Sequence, residues 1–443
     1  MANSQSTITA KTDAAREDRA HEATPSAGHI VIVSNMNIDF AEFHRTSRPL
    51  MIDAYRMLLD FHLREGVAGS YGITGRTLDV LADAAPDVVA RMKTGMRRGI
   101  LEFMSYTQYH VHPFFSTETE FARDVRAGIE TFRRVLGRRP AGFHPPEFFH
   151  LSTPVLKDLG IQYTALYSDA VNSPADVVLP PVVKVRGEGR LTLPAVLIPR
   201  DSFRSAGHMF GSSRETFWRQ FNSVPLVANQ YAYLQYDAEI ILMQEFRNEE
   251  QYVYAGSPED ISLDRAAELL ANFAHATREL REHGYTFIRI GDVCQSAKLS
   301  SLPVYQARAD MGTATPHTWS NTTEKRLALG YFHVANTLGR RFRGVIEQEL
   351  ELIDTQLLYL KGSDHLGFDP PVERIDRTRN FAKNLCRSLA FRLAAFEAPE
   401  TLYQETTIEL DRFYQDRLKQ APPPEFDDFL GQLFPSPSPH TRP

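Results

Sequence analysis

Between His29 and about Ser296, short apolar runs alternate with helix-patterned stretches. This alternation restricts the fold more than any other feature of the chain. His29-Ile30-Val31-Ile32-Val33 is apolar on both faces, as a strand buried in a parallel sheet must be. Helix-patterned residues around Leu50 to Leu59 follow, and a second helix is predicted over Thr77 to Lys93. Further strands are read at Gly99–Phe103, Gly142–Phe149, Ile161–Leu166 and Tyr285–Ile290, with helices between them. Thr117-Glu118-Thr119-Glu120 is a capping box for the helix ending at Gly137, and Thr153-Pro154 opens the next one. Strands that alternate with helices predict a parallel α/β sheet, open or closed into a barrel.

The remaining boundaries follow from changes in composition. Residues 1–27 are polar and mixed in charge and read as a disordered tail. The barrel is expected over 28–300, with an insertion near 171–197 where Pro and Val interrupt the rhythm. Long Pro-free helical patterns predict a helical domain over 301–421, and the proline-rich residues 422–443 read as a second tail. No stretch approaches the roughly 18 apolar residues that a membrane span requires, so no membrane partner is expected. A net charge of −6 without a basic stripe argues against nucleic acid. Two cysteines in 443 residues, Cys294 and Cys386, suggest a reducing compartment, hence the cytoplasm. Nothing in the sequence points to a particular oligomeric state.

The chemistry concentrates at predicted strand ends, where α/β folds place their sites. Glu147 follows Phe143-His144-Pro145-Pro146, and the two prolines stop the strand and fix how the carboxylate leaves it. Asp237 and Glu239 would share one face of the strand Leu234–Ile240. Acids spaced this way often face solvent. A carboxyl ending another strand of the same sheet gives them a further use. Two carboxyls facing each other across a pocket are what glycoside hydrolysis needs, one to attack the sugar and one to protonate the leaving oxygen. His110 and His112 have ligand-like spacing, but zinc would need a third ligand, for which Asp39 is the best candidate. Arg200-Asp201 is either an ion pair or a guanidinium beside a catalytic carboxylate. Ser363-Asp364-His365 reads first as the end of a glycine-capped helix. Trp218, Tyr236 and Trp319 are core residues by type that could also stack on sugar rings.

In this order the sites resemble glycoside hydrolase family 57. The family's Gly-x-Ile-Glu strand and following His-Pro loop match Gly99–Glu102 and Tyr109–Pro113. Its nucleophile motif matches Phe143–Glu147, and its Arg-Asp element matches Arg200-Asp201 and Ser205. Its Asp-Gly-Glu motif matches Asp237-Ala238-Glu239, and its Ser-Asp element matches Ser363-Asp364-His365. The resemblance implies an incomplete (β/α)7 barrel with a C-terminal helical domain. It implies a retaining hydrolase or 4-α-glucanotransferase acting on an oligo- or polysaccharide of α-linked glucose, with no cofactor and no required metal. Glu147 would be the nucleophile and Asp237 the acid/base. Asn35, Glu102, His112, His144, Arg200, Asp201, Glu239, Asp364 and His365 would contact substrate. Three departures leave the particular substrate open. Ser34-Asn35-Met36-Asn37 stands where the family begins with His, His144 stands where Trp is usual, and Ala238 where Gly is usual. Two other functions share these features. A metal-dependent polysaccharide deacetylase has a similar Pro-Pro motif and paired histidines. A catalytically silent carbohydrate-binding protein could keep the same barrel.

Overall fold

The computed structural model describes residues 28–39, 48–112, 116, 118–146, 153–174, 177–187, 190–199, 231–239, 241, 244–248, 251–254, 262–307, 320–343, 353, 356–358, 360 and 372–435. In chain order the strands are β1 (His29–Met36), β2 (Gly69–Ile73), β3 (Leu101–Ser105), β4 (Gly142–Phe143), β5 (Tyr163–Tyr167), β6 (Val171–Asn172), β7 (Val182–Arg186), β8 (Leu193–Ile198), β9 (Tyr231–Asp237), β10 (Gln244–Asn248), β11 (Gln251–Tyr254), β12 (Thr286–Ile288) and β13 (Val304–Ala307). The helices are α1 (Arg48–Glu65), α2 (Gly75–Ala84), α3 (Pro86–Arg97), α4 (Glu118–Leu136), α5 (Thr153–Asp158), α6 (Leu263–Glu282), α7 (Ile290–Ser296), α8 (Thr323–Arg343), α9 (Val372–Leu393), α10 (Pro399–Phe413) and α11 (Glu425–Leu433).

Seven strands run parallel in the order β9-β1-β2-β3-β4-β5-β8. Among the described residues no ladder joins β8 to β9, so the ring is an incomplete barrel. The alternation of the strand residues divides the core. Ile30 and Ile32 of β1, with Leu234 and Tyr236 of β9, pack outward against α1, α3 and α6. Val31, Val33, Met104, Tyr163, Val196 and Tyr233 belong to a different cluster, on the inner face, which continues through α7 into the C-terminal helices. The strands are apolar on both faces because both are covered. No helix among the described residues is long and apolar enough to cross a membrane.

The structure differs from the sequence reading at several places. β2, Gly-Ser-Tyr-Gly-Ile, is a ring strand that was not expected. Its glycines weaken a strand pattern, but they sit where neighbouring side chains come close. The helix expected over Thr77 to Lys93 is two helices, because Pro86 opens a new one. The insertion is narrower than 171–197, since β8 pairs in parallel with β5 as part of the ring, leaving β6 and β7 as the added strands. The strand read at Tyr285–Ile290 shrinks to β12, which pairs with only His29–Val31 of β1, beneath the stretch that pairs with β2. The tail expected from residue 422 contains α11, whose Phe426, Phe429 and Leu430 are buried at helical spacing.

Candidate active site at the strand ends

The register sets the heights of the inner-face residues. Asn35 lies level with Gly72 of β2 and Asp237 of β9, and Gly72 lies level with Met104 of β3. Asp237 is the last residue of β9, on the same face as Tyr233 and Gln235, and is partly exposed. The next amide, Ala238 N–H, donates to Asn35 O at 2.9 Å and ties the end of β9 to β1.

Glu239 then turns into the protein and is fully buried. Its Oε1 accepts from Asn37 N–H at 2.6 Å and from the Tyr55 hydroxyl on α1. Its Oε2 is buried with no hydrogen-bond partner. Burial, and then the charge of Asp237, push this carboxyl up to about 8, against the lowering effect of its two donors.

The loop after β3 brings two histidines to the same end. The Asn37 amide donates to His110 Nδ1 at 3.1 Å. His110 holds a left-handed φ of 55°, a strained backbone for a residue with a side chain. The loop is anchored from beneath by Asp124 of α4, whose Oδ2 accepts from Tyr109 N–H and whose carbonyl accepts from Gln108 N–H. Burial lifts the Asp124 carboxyl to about 7. From the other side the first amides of α2, Gly75 and Arg76, donate to the carbonyls of Thr107 and Gln108. His144 leaves β4 and stacks on Tyr106, which meets His110 edge-on. Burial lowers both His112 and His144 to about 3, so both imidazoles are neutral at physiological pH. Neutral imidazoles, an amide and carboxyls are hydrogen-bonding groups suited to a polyol.

Asn35, Asp237, Glu239, His112 and His144 therefore lie at the C-terminal end of the strands. Glu102 does not join them. It sits two residues below, level with Ser70, and its carboxylate accepts from Ser70 Oγ at 3.2 Å, from Gly291 N–H of α7 at 2.8 Å and from the Tyr163 hydroxyl. Glu147, Arg200, Asp201, Asp364 and His365 lie outside the described residues, as do Ser205, Trp218 and Trp319. Tyr236 is on the outer face of β9, in the core, with its hydroxyl 2.8 Å from that of Tyr71. Among the described residues no group of three or more His, Cys, Asp or Glu side chains is placed to hold a metal ion, and Asp39 pairs instead with Arg76 at 3.7 Å. Tyr55 has no motif around it that marks it in the sequence, and nothing local marks Asn37 as the donor to Glu239.

Residues 35–186 match the profile of Glycosyl hydrolase family 57. No curated protein matches the chain. Among solved structures, a 4-α-glucanotransferase from Thermococcus litoralis is similar at 11% identity and a TM-score of 0.56, over 81% of this chain and 58% of that one. This chain thus spans under two thirds of that enzyme's length. An α-amylase from Thermotoga maritima is similar at 10% identity and a TM-score of 0.55, over 87% of this chain and 97% of that one. A family 57 branching enzyme from Pyrococcus horikoshii is similar at 11% identity and a TM-score of 0.53, over 92% and 94% of the two chains. At these identities the likeness is one of fold. From the end of β1 to the end of β7 the chain is a match to glycosyl hydrolase family 57, the family that its order of motifs resembles.

Proposed function

We propose that this chain is a retaining glycoside hydrolase or glucanotransferase that acts on α-linked glucans. The observation that carries the reading is Asp237, held at the C-terminal end of an inner strand face beside buried Glu239 and the neutral imidazoles of His112 and His144. Glu147 is the second carboxyl of the mechanism. Its assignment rests on its place in the chain, four residues after the end of β4, and on the nucleophile motif. β4 stands four strands from β9 in the ring order, which is compatible with this reading.

In the first half of the reaction, a Glu147 oxygen bonds to the anomeric carbon as the glycosidic C–O bond breaks. Asp237 gives its proton to the departing oxygen. In the second half, water or a sugar hydroxyl attacks the glycosyl-enzyme and returns a proton to Asp237. Retention requires the two carboxyls to stand about 5–5.5 Å apart. The acceptor decides the product. Incubating the protein with maltooligosaccharides of one length and reading product sizes by mass spectrometry tests the proposal. Shorter products alone indicate hydrolysis, and shorter plus longer products indicate transfer. An unchanged substrate under all conditions overturns the reading.

A further inference from the structure

Among the described residues β9 has a ladder on one side only, its pairing with β1. A side-chain contact supplies a second hold. The amide of Gln235 donates from Nε2 to the Tyr167 hydroxyl at 2.6 Å. Gln235 is buried on the inner face of β9, two residues before Asp237. Tyr167 is the last residue of β5, the neighbour of β4 in the ring. The bond therefore spans the interior of the ring. It runs from the strand that carries Asp237 to the strand beside the one that precedes Glu147.

By way of ladders, β9 and β5 communicate only through β1, β2, β3 and β4. That route is thinnest at β4, which meets β3 at one residue pair, Ser105 with Phe143, and β5 at two. The direct bond is the shorter path. Gln235 Oε1 is buried without a partner, so among the described residues Tyr167 alone fixes the amide. A leucine at this position would bury a similar side chain without a bare oxygen, so folding alone does not call for the amide.

We infer that Tyr167 and Gln235 form a cross-brace that keeps Asp237 within reach of the leaving oxygen, and that both are positioning residues for the acid/base. The inference rests on reading Asp237 as that group. In an extended strand Asp237 follows Gln235 by about 6.8 Å on the same face, so a shift of one is passed to the other. Tyr236, between them, is tied on the outer face to Tyr71 at 2.8 Å, and Ala238 N–H is tied to β1. Without the brace the strand end is held from β1 and the outer face only. Proton transfer requires hydrogen-bond reach, and a misplacement of about 1 Å can cost on the order of a hundredfold in rate.

The test compares two substrates in the wild type, Tyr167→Phe, Gln235→Met and the double variant. One is a maltooligosaccharide, whose leaving oxygen needs a proton, and the other is a dinitrophenyl α-maltoside, whose leaving group does not. Each single variant should lower kcat on the maltooligosaccharide by about tenfold or more, and on the aryl maltoside by less than about threefold. KM should stay within about twofold, and the double variant should be no worse than either single one. Equal losses on both substrates indicate a merely structural role and overturn the inference, as do unchanged rates or losses that multiply in the double variant. If the wild type acts on neither substrate, the glycosidase reading fails separately. The brace is then read by carbon NMR of protein labelled at its aspartate carboxyls. The Asp237 resonance, identified by its loss in Asp237→Asn, should move in Tyr167→Phe and in Gln235→Met while most others stay in place. An unmoved Asp237, or resonances displaced throughout the chain, overturns the brace.

Discussion

His144 lies over the ring of Tyr106, with centroids 4.6 Å apart and planes 27° from parallel, and the pair rests on Gly72 of β2. A β-carbon at Gly72 would come within 2.5 Å of Tyr106 Cε2 and 2.7 Å of His144 Cγ. Neither ring can retreat easily, because both are buried. Gly72→Ala should therefore destabilise the protein by about 1–3 kcal/mol. It should also lower kcat/KM, because the displaced imidazole stands at the strand ends. Thermal unfolding and kinetics check this together, and an unchanged Tm would show that the rings are not packed as described.

The two proposed catalytic carboxyls should fail in different ways. Glu147→Ala should abolish turnover of ordinary substrates, because no glycosyl-enzyme can form. Asp237→Ala should keep its attack on substrates with very good leaving groups, which need little protonation. Added azide separates the roles. It should give a glycosyl azide of retained configuration with Asp237→Ala and of inverted configuration with Glu147→Ala. The opposite anomers would mean that the two roles are exchanged.

Chelation gives a third outcome. A mechanism built on two carboxyls needs no Lewis acid, so activity should survive EDTA. Loss of activity that zinc restores would support the deacetylase reading.

Stability should carry the signature of Asp124. Its carboxyl is raised to about 7 in the folded chain, chiefly by burial, against roughly 3.9 when unfolded. Between those values the folded state holds a proton that the unfolded state has released. Stability from this group is thus full below about pH 4 and is lost as pH rises to about 7. Asp124→Asn removes that dependence. The Tm of the variant should gain on that of the wild type across this interval, and parallel curves would contradict it.

Glu102 provides a fifth outcome. Glu102→Ala leaves the Gly291 N–H and the hydroxyls of Ser70 and Tyr163 without their acceptor. The expected loss is roughly 3 kcal/mol of stability, with KM for a glucan changed less than about twofold. A raised KM at unchanged Tm would instead place Glu102 on the substrate, as the family resemblance implies.

These residues also show what a sequence can reveal. β1 was legible because an uninterrupted apolar run has few other uses, and β5 because a short stretch of strand-forming residues follows the glycine that ends α5. β2 was not, since its glycines have reasons visible only in three dimensions. A β-carbon at Gly69 would meet His62 at 2.8 Å, and one at Gly72 would meet the stacked rings. Asp237 was legible as a carboxyl ending a strand, but Glu102 gives a similar signal and serves α7. Which end of the strand an acid occupies depends on register, and register is not written in composition. Tyr55 reaches Glu239 across 184 residues, a separation that no local pattern reports.

Among the described residues no ladder spans β8 and β9, which changes what sets the width of the ring. In a closed barrel, ladder hydrogen bonds around the whole circumference fix the diameter. Here α7 packs against β1, β5 and β8, and its Ile290 and Val293 share a cluster with Val31, Val33, Val196 and Ile198. Side-chain volume on α7 thus acts on the spacing of β1, β5 and β8. Adding or removing a methyl group on α7 would widen or narrow the ring, and with it the spacing of groups at the mouth, without altering any residue at the strand ends. A ring braced by a helix in this way can be tuned in aperture from its opposite end.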